Sequence, residues 1–98
     1  MTSQSPPEEL LAAREQIDAI DRELMVLLGK RFELTHHVGL VKANKALEAV
    51  DATRESQKLA ELSALCEKYN LNPTLVRELF SRIMEEVVKN HRQLRDKP

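Results

Sequence analysis

The chain has 98 residues, of which 42% are hydrophobic but only 3% aromatic, with two glycines, one tyrosine, two phenylalanines and no tryptophan. Fifteen Lys and Arg against sixteen Asp and Glu leave a formal net charge of −1. That length gives one domain, and turn-forming residues are too few for the connections of a small sandwich or barrel, so all-β folds are excluded and an all-α fold is predicted. A balanced charge without stacking aromatics argues against nucleic acid as a partner. The single Cys66 excludes an intramolecular disulfide, and no Cys/His set has zinc spacing, so no metal is expected. The N-terminus has no apolar core of a signal peptide and no run of eighteen apolar residues occurs, which predicts a cytoplasmic, membrane-free protein.

Three helices are predicted in one domain over residues 1–98, with residues 1–5 and 95–98 frayed. Ser5-Pro6-Pro7-Glu8 reads as a helix start, with Ser5 as cap, Pro6 in the first helical position and Glu8 completing a capping box. From there Leu10, Ile17, Ile20, Leu24, Leu27, Leu28, Leu34, Val38 and Val41 recur at three- and four-residue steps to about Asn44. Gly29 and Gly39 weaken that helix by about 1 kcal/mol each relative to Ala, without ending it. The segment from Asn44 to Val50 has no clear period. Asp51 then caps a second helix whose apolar side is Leu59, Leu62, Leu65 and Cys66. Asn70-Leu71-Asn72-Pro73 ends it and starts a third, with Asn72 as cap and Pro73 in the first turn. Leu75, Val76, Leu79, Phe80, Ile83, Met84, Val87 and Val88 line the third helix.

Length is informative for the first helix. At about 1.5 Å per residue it spans roughly 55 Å, whereas a compact chain of this size has a radius of gyration near ~13 Å. Half of its apolar stripe would face solvent unless a second copy covered it, so an intertwined helical homodimer is predicted.

Cations interrupt this stripe. Arg14, Arg31 and Lys42 lie on or beside the apolar seam; Arg31 and Lys42 are nearly three turns apart and point the same way. Any one of them is ordinarily a snorkelling side chain. Asp51, Arg54, Glu55 and Lys58 form a mixed-charge start to the second helix, which in isolation is a solvated, capped terminus. Packed against the end of the first helix, that terminus would gather Arg31, Lys42 and Arg54 around one pocket, and such a cluster calls for a dianion.

These residues carry a resemblance. Leu11-Ala-Ala-Arg14-Glu-Gln-Ile17-Asp-Ala-Ile20-Asp21, Leu27-Leu28-Gly-Lys-Arg31, Lys42, Asp51-Ala-Thr-Arg54-Glu55 and the stretch from Leu71-Asn-Pro to Ile83 closely resemble the all-helical chorismate mutases over residues 8 to 93. The resemblance implies an intertwined homodimer that rearranges chorismate to prephenate on the way to phenylalanine and tyrosine, without a cofactor. It implies that Arg14 crosses into the partner's site, where Arg31, Lys42 and Arg54 complete the hold on two carboxylates and an ether oxygen. Asp51 and Glu55 fall on positions that contact the ring hydroxyl or its surroundings. The crossing suits the spacing, since Arg14 and Lys42 are roughly 42 Å apart along a straight helix.

Two positions depart from the family pattern. Where the family has a hydroxyl residue followed four positions later by Gln or Glu, this chain has Val87 and His91. Val87 deletes a hydroxyl contact to a carboxylate. His91 is either a histidine packed at the core edge or a replacement donor to the ether oxygen, since a neutral imidazole still has one N–H to give. His36 and His37 have no assigned role. Two other functions compete: an isochorismate-pyruvate lyase, disfavoured by the Asp51 and Glu55 carboxylates, and a non-catalytic helical interaction module. The latter would have little reason to keep cations on the seam, where leucine serves a scaffold as well or better.

Overall fold

Two adjacent prolines decide where the first helix begins. The Pro7 ring disfavours the α conformation at Pro6, so Pro6 does not occupy the first helical position. In the computed structural model, which describes residues 6–97, helix α1 runs Glu8–Asn44. The Pro7 carbonyl accepts from the amides of Leu10 at 3.0 Å and Leu11 at 3.1 Å. Glu8 and Glu9 sit in the first turn, where the helix dipole favours negative charge. The expected cap at Ser5 lies outside the described residues.

The other end of α1 closes on a turn that the sequence does not announce. The Leu47 amide donates to the Lys42 carbonyl at 2.8 Å and the Ala46 amide to that of Ala43 at 3.3 Å. This is a Schellman closure, and it places Ala46 at φ 55, a left-handed position usually given to glycine. A buried Ala49 follows in the connection to α2.

Helix α2 runs Ala52–Tyr69 and is capped as expected: Asp51 Oδ1 accepts from the Arg54 amide at 3.0 Å. It ends at Asn70, φ 55, a residue whose short polar side chain tolerates the left-handed region. Helix α3 runs Pro73–Asp96, with Asn72 Oδ1 accepting from the Thr74 amide at 3.0 Å. It continues through Arg95, which was expected to fray; the Arg95 guanidinium pairs with Asp96 at 3.3 Å. Among the described residues there is no strand, and no helix is long and apolar enough to cross a membrane.

The chain divides into two units, one ending at Glu33 and one beginning at Leu34. In the first, Ile17 and Ile20 are 55% exposed, Leu24 58% and Leu27 60%. Full burial of such a side chain contributes roughly 1.5–3 kcal/mol, and this unit forgoes most of it within one chain. In the second unit α2 packs against α3. Leu59, Leu62 and Leu65 are half-buried and Cys66 fully so; on α3 Val76, Phe80, Ile83, Met84, Val87 and Val88 are half-buried as well. Leu75 and Leu79, expected on that stripe, turn outward at 62% and 55% exposure. The buried set of this unit is small and partly polar: Gly39, Ala49, Cys66 and His91.

The caps are separable from the rest. Asn72→Ala should lower the unfolding free energy by about 1 kcal/mol in urea titration. At Asp51 the same measurement should show about 1 kcal/mol lost in Asp51→Ala and almost none in Asp51→Asn, because the amide oxygen still accepts from the Arg54 amide.

Candidate active site

The Schellman closure of α1 also shapes the surroundings of Lys42. By reversing the chain after Asn44 it brings Ala49 back to the last helical turn, where the Lys42 ammonium donates to the Ala49 carbonyl at 3.3 Å. Lys42 is half-buried and Ala49 is 4% exposed, so the ammonium is held by one carbonyl with two protons left to give. Two residues further on, Asp51 caps α2. One of its carboxylate oxygens is committed to the Arg54 amide, and its carbonyl accepts from the Glu55 amide at 3.0 Å. Arg54 is exposed at the first turn, whereas Glu55 is half-buried.

Glu55 lines a cavity of the second unit, about 1060 Å³, together with Leu59 of α2 and Ser81, Met84 and Val88 of α3. The volume suits a small-molecule site. Of the expected site residues, Glu55 alone lines it; Lys42, Arg54, Val87 and His91 do not. His36 reaches its rim, where its Nδ1–H donates to Asn90 Oδ1 at 3.3 Å. Arg14, exposed, and Arg31, half-buried, belong to the first unit, and Lys42 and Arg54 to the second.

Val87 is half-buried on α3. His91 is 4% exposed, and its Nε2 lies 2.7 Å from the Thr35 carbonyl oxygen of α1. A carbonyl can only accept, so Nε2 carries the ring proton. Nδ1 is buried with no hydrogen-bond partner. Placement at the core edge is therefore what the structure shows. Donation to an ether oxygen would require the ring either to release Thr35 or to carry a second proton.

Sequence reasoning passed over Thr35 and Gly39, which make the seat for His91, and Ser81, which lines the cavity. Gly39 did carry a signal: a glycine inside an otherwise unbroken helix costs stability, and it usually stays there because something packs against it. Ser81 offered none, being one polar residue on a mixed face.

A family model described as chorismate mutase type II matches residues 13–92. The T-protein of Enterobacter agglomerans is 38% identical over 78 residues, 80% of this chain and 21% of that protein. The bifunctional chorismate mutase/prephenate dehydratase of Escherichia coli (strain K12) is 36% identical over 94 residues, 96% of this chain and 24% of its own length. The T-protein of Haemophilus influenzae is 35% identical over 86 residues, 88% of this chain and 23% of that protein. The chain thus spans less than a quarter of the curated relatives it matches. The matched span holds Arg14, Arg31, Lys42, Asp51, Arg54, Glu55, Val87 and His91 on a three-helix chain, and the chain belongs to the chorismate mutase type II family.

Proposed function

We propose that this chain is a cytoplasmic enzyme that rearranges chorismate to prephenate, working as a homodimer in which each site takes Arg14 from the partner. The family match over residues 13–92 carries this reading, because it contains every cation the chemistry asks for. The reaction breaks an ether C–O bond and forms a C–C bond within one molecule, so neither a nucleophile nor a cofactor is called for. The protein must hold the enolpyruvyl chain over the ring and stabilise negative charge growing on the ether oxygen. A million-fold acceleration corresponds to roughly 8 kcal/mol, within reach of positioning and electrostatics together.

The side chains divide that work by their geometry. Arginine matches a carboxylate bidentately, so Arg14 of the partner, Arg31 and Arg54 bind the two carboxylates. Lysine is a compact point charge; Lys42, held by Ala49 with protons to spare, faces the ether oxygen. Asp51 and Glu55 take the ring hydroxyl, and Val87 contributes apolar contact only. Dimerisation is supported by the first unit, whose Ile17, Ile20, Leu24 and Leu27 gain their burial from a second copy. A shared site follows from helical spacing, since Arg14 and Lys42 are too far apart in sequence on α1 for one small dianion to touch both.

Incubation of the purified chain with chorismate, followed by chromatography, should yield prephenate. Salicylate and pyruvate from isochorismate would instead identify a lyase, and turnover of neither a non-catalytic module. Lys42→Ala and Arg14→Ala should each lose at least a hundredfold in kcat/KM with helical circular dichroism retained. Refolded together in equal amounts, the two inactive variants should recover about a quarter of the wild-type rate. Half of the dimers are then mixed, and each mixed dimer has one intact site. No recovery on mixing would place Arg14 in its own chain's site.

A further inference from the structure

We infer that Gly39 and His91 form a latch that positions Lys42, with His91 acting through the α1 backbone and not as a donor to substrate. The inference deepens the mutase reading, resting on it for the role of Lys42 but not for the latch itself. Its starting point is a gap in a helix. A Cβ built on Gly39 would stand 2.6 Å from His91 Cδ2, 2.8 Å from Leu94 Cδ1 and 3.1 Å from His91 Nε2, all too close. Only a glycine lets the imidazole lie against the α1 backbone there. Gly29, on the same helix, has nothing within 4 Å of such a Cβ.

The missing Cβ permits a specific bond. Lying in the Gly39 notch, the ring brings Nε2 to 2.7 Å from the Thr35 carbonyl, one turn earlier on α1. Thr35, Gly39 and Lys42 follow at successive turns, so α3 grips α1 just before the turn that carries Lys42. On the far side the Lys42 ammonium is tied to Ala49. The last turns of α1 are thus held at both ends, by His91 and by the connection to α2. With His91 4% exposed and its one neutral-state proton given to Thr35, the ring has no N–H to offer a ligand.

The test uses the full chain labelled with 13C at lysine Cε, the Lys42 resonance being assigned by its disappearance in Lys42→Arg. Gly39→Ala should move the Lys42 resonance and lower kcat/KM at least tenfold, although alanine is the better helix former. His91→Ala should do the same. The double variant should lose no more than His91→Ala alone, because the ring has left and the Leu94 methyl, the far end of a flexible side chain, can turn into the space it vacates. Where Gly39→Ala does not fold, His91→Leu, which keeps apolar bulk without the donor, is read in the same way and should also move the resonance. A Lys42 resonance unmoved by the variant that folds, or losses that multiply in the double variant, overturns the latch. The resonance is recorded without substrate. A wild-type chain that turned over no chorismate would count against the mutase reading and leave the latch to be decided by that resonance.

Discussion

The hydrogen bond from His91 to the Thr35 carbonyl joins α3 to the end of α1 and, with the Gly39 notch, sets where α3 lies along that helix. Apolar contact alone would let two neighbouring helices slide by a turn with little change in buried area. A polar ring at 4% exposure removes that freedom. Left without its acceptor, the N–H would cost about 1–3 kcal/mol, so registers that do not present Thr35 are penalised. The same ring cannot enter without the Gly39 notch, which couples the bond to one position on α1. Register is thus set by one polar contact and one missing methyl.

A chain that fixes its register so locally still leaves most of its large side chains wet. Among the described residues the buried hydrophobics are Ala49 and Cys66, and the exposed ones include Ile17, Ile20, Leu24 and Leu27 of the first unit. These four are 55–60% exposed, so covering them is worth on the order of 1 kcal/mol each, together close to the ~5 kcal/mol lower end of a small domain's stability. The proposed dimer therefore answers two demands at once. It buries the stripe of α1, and it supplies a cation that helical spacing keeps away from Lys42 of the same chain.

Helix boundaries set by side-chain caps were legible from sequence: Asp51 and Asn72 accept from Arg54 and Thr74 as their positions require. The start of α1 was misplaced because the restriction that Pro7 imposes on Pro6 outweighs the fitness of a lone proline for a first turn. The stripe of α3 was read too broadly. Leu75 and Leu79 satisfy helical spacing as well as Val76 and Ile83 do, and only the packing of α2 decides which arc is covered. For the site, residue types were legible and partners were not. Lys42 was identifiable as a seam cation, but its acceptor lies on Ala49, beyond a turn closed by an alanine in a left-handed conformation that no sequence rule anticipates. His91 was legible as a histidine on an apolar face, and its seat depended on Thr35, a backbone carbonyl that every residue possesses.

On the proposed mutase reading, Val87 and His91 change how the chemistry is shared. A second neutral donor at the ether oxygen would divide the growing negative charge with Lys42. With the His91 N–H given to Thr35, the proposed mechanism leaves stabilisation of that charge to Lys42, and the placement of Lys42 becomes the more critical quantity. Electrostatic stabilisation is effective when the charged group is already in place and need not reorganise as the reaction proceeds. A lysine has four rotatable bonds and would ordinarily lose roughly 2 kcal/mol of rotamer freedom on being fixed. The Ala49 carbonyl restricts the ammonium and the His91 latch restricts the helix beneath it, so that ordering is completed on folding. On this reading, the donor that the substrate loses at His91 returns as a better-fixed cation at Lys42.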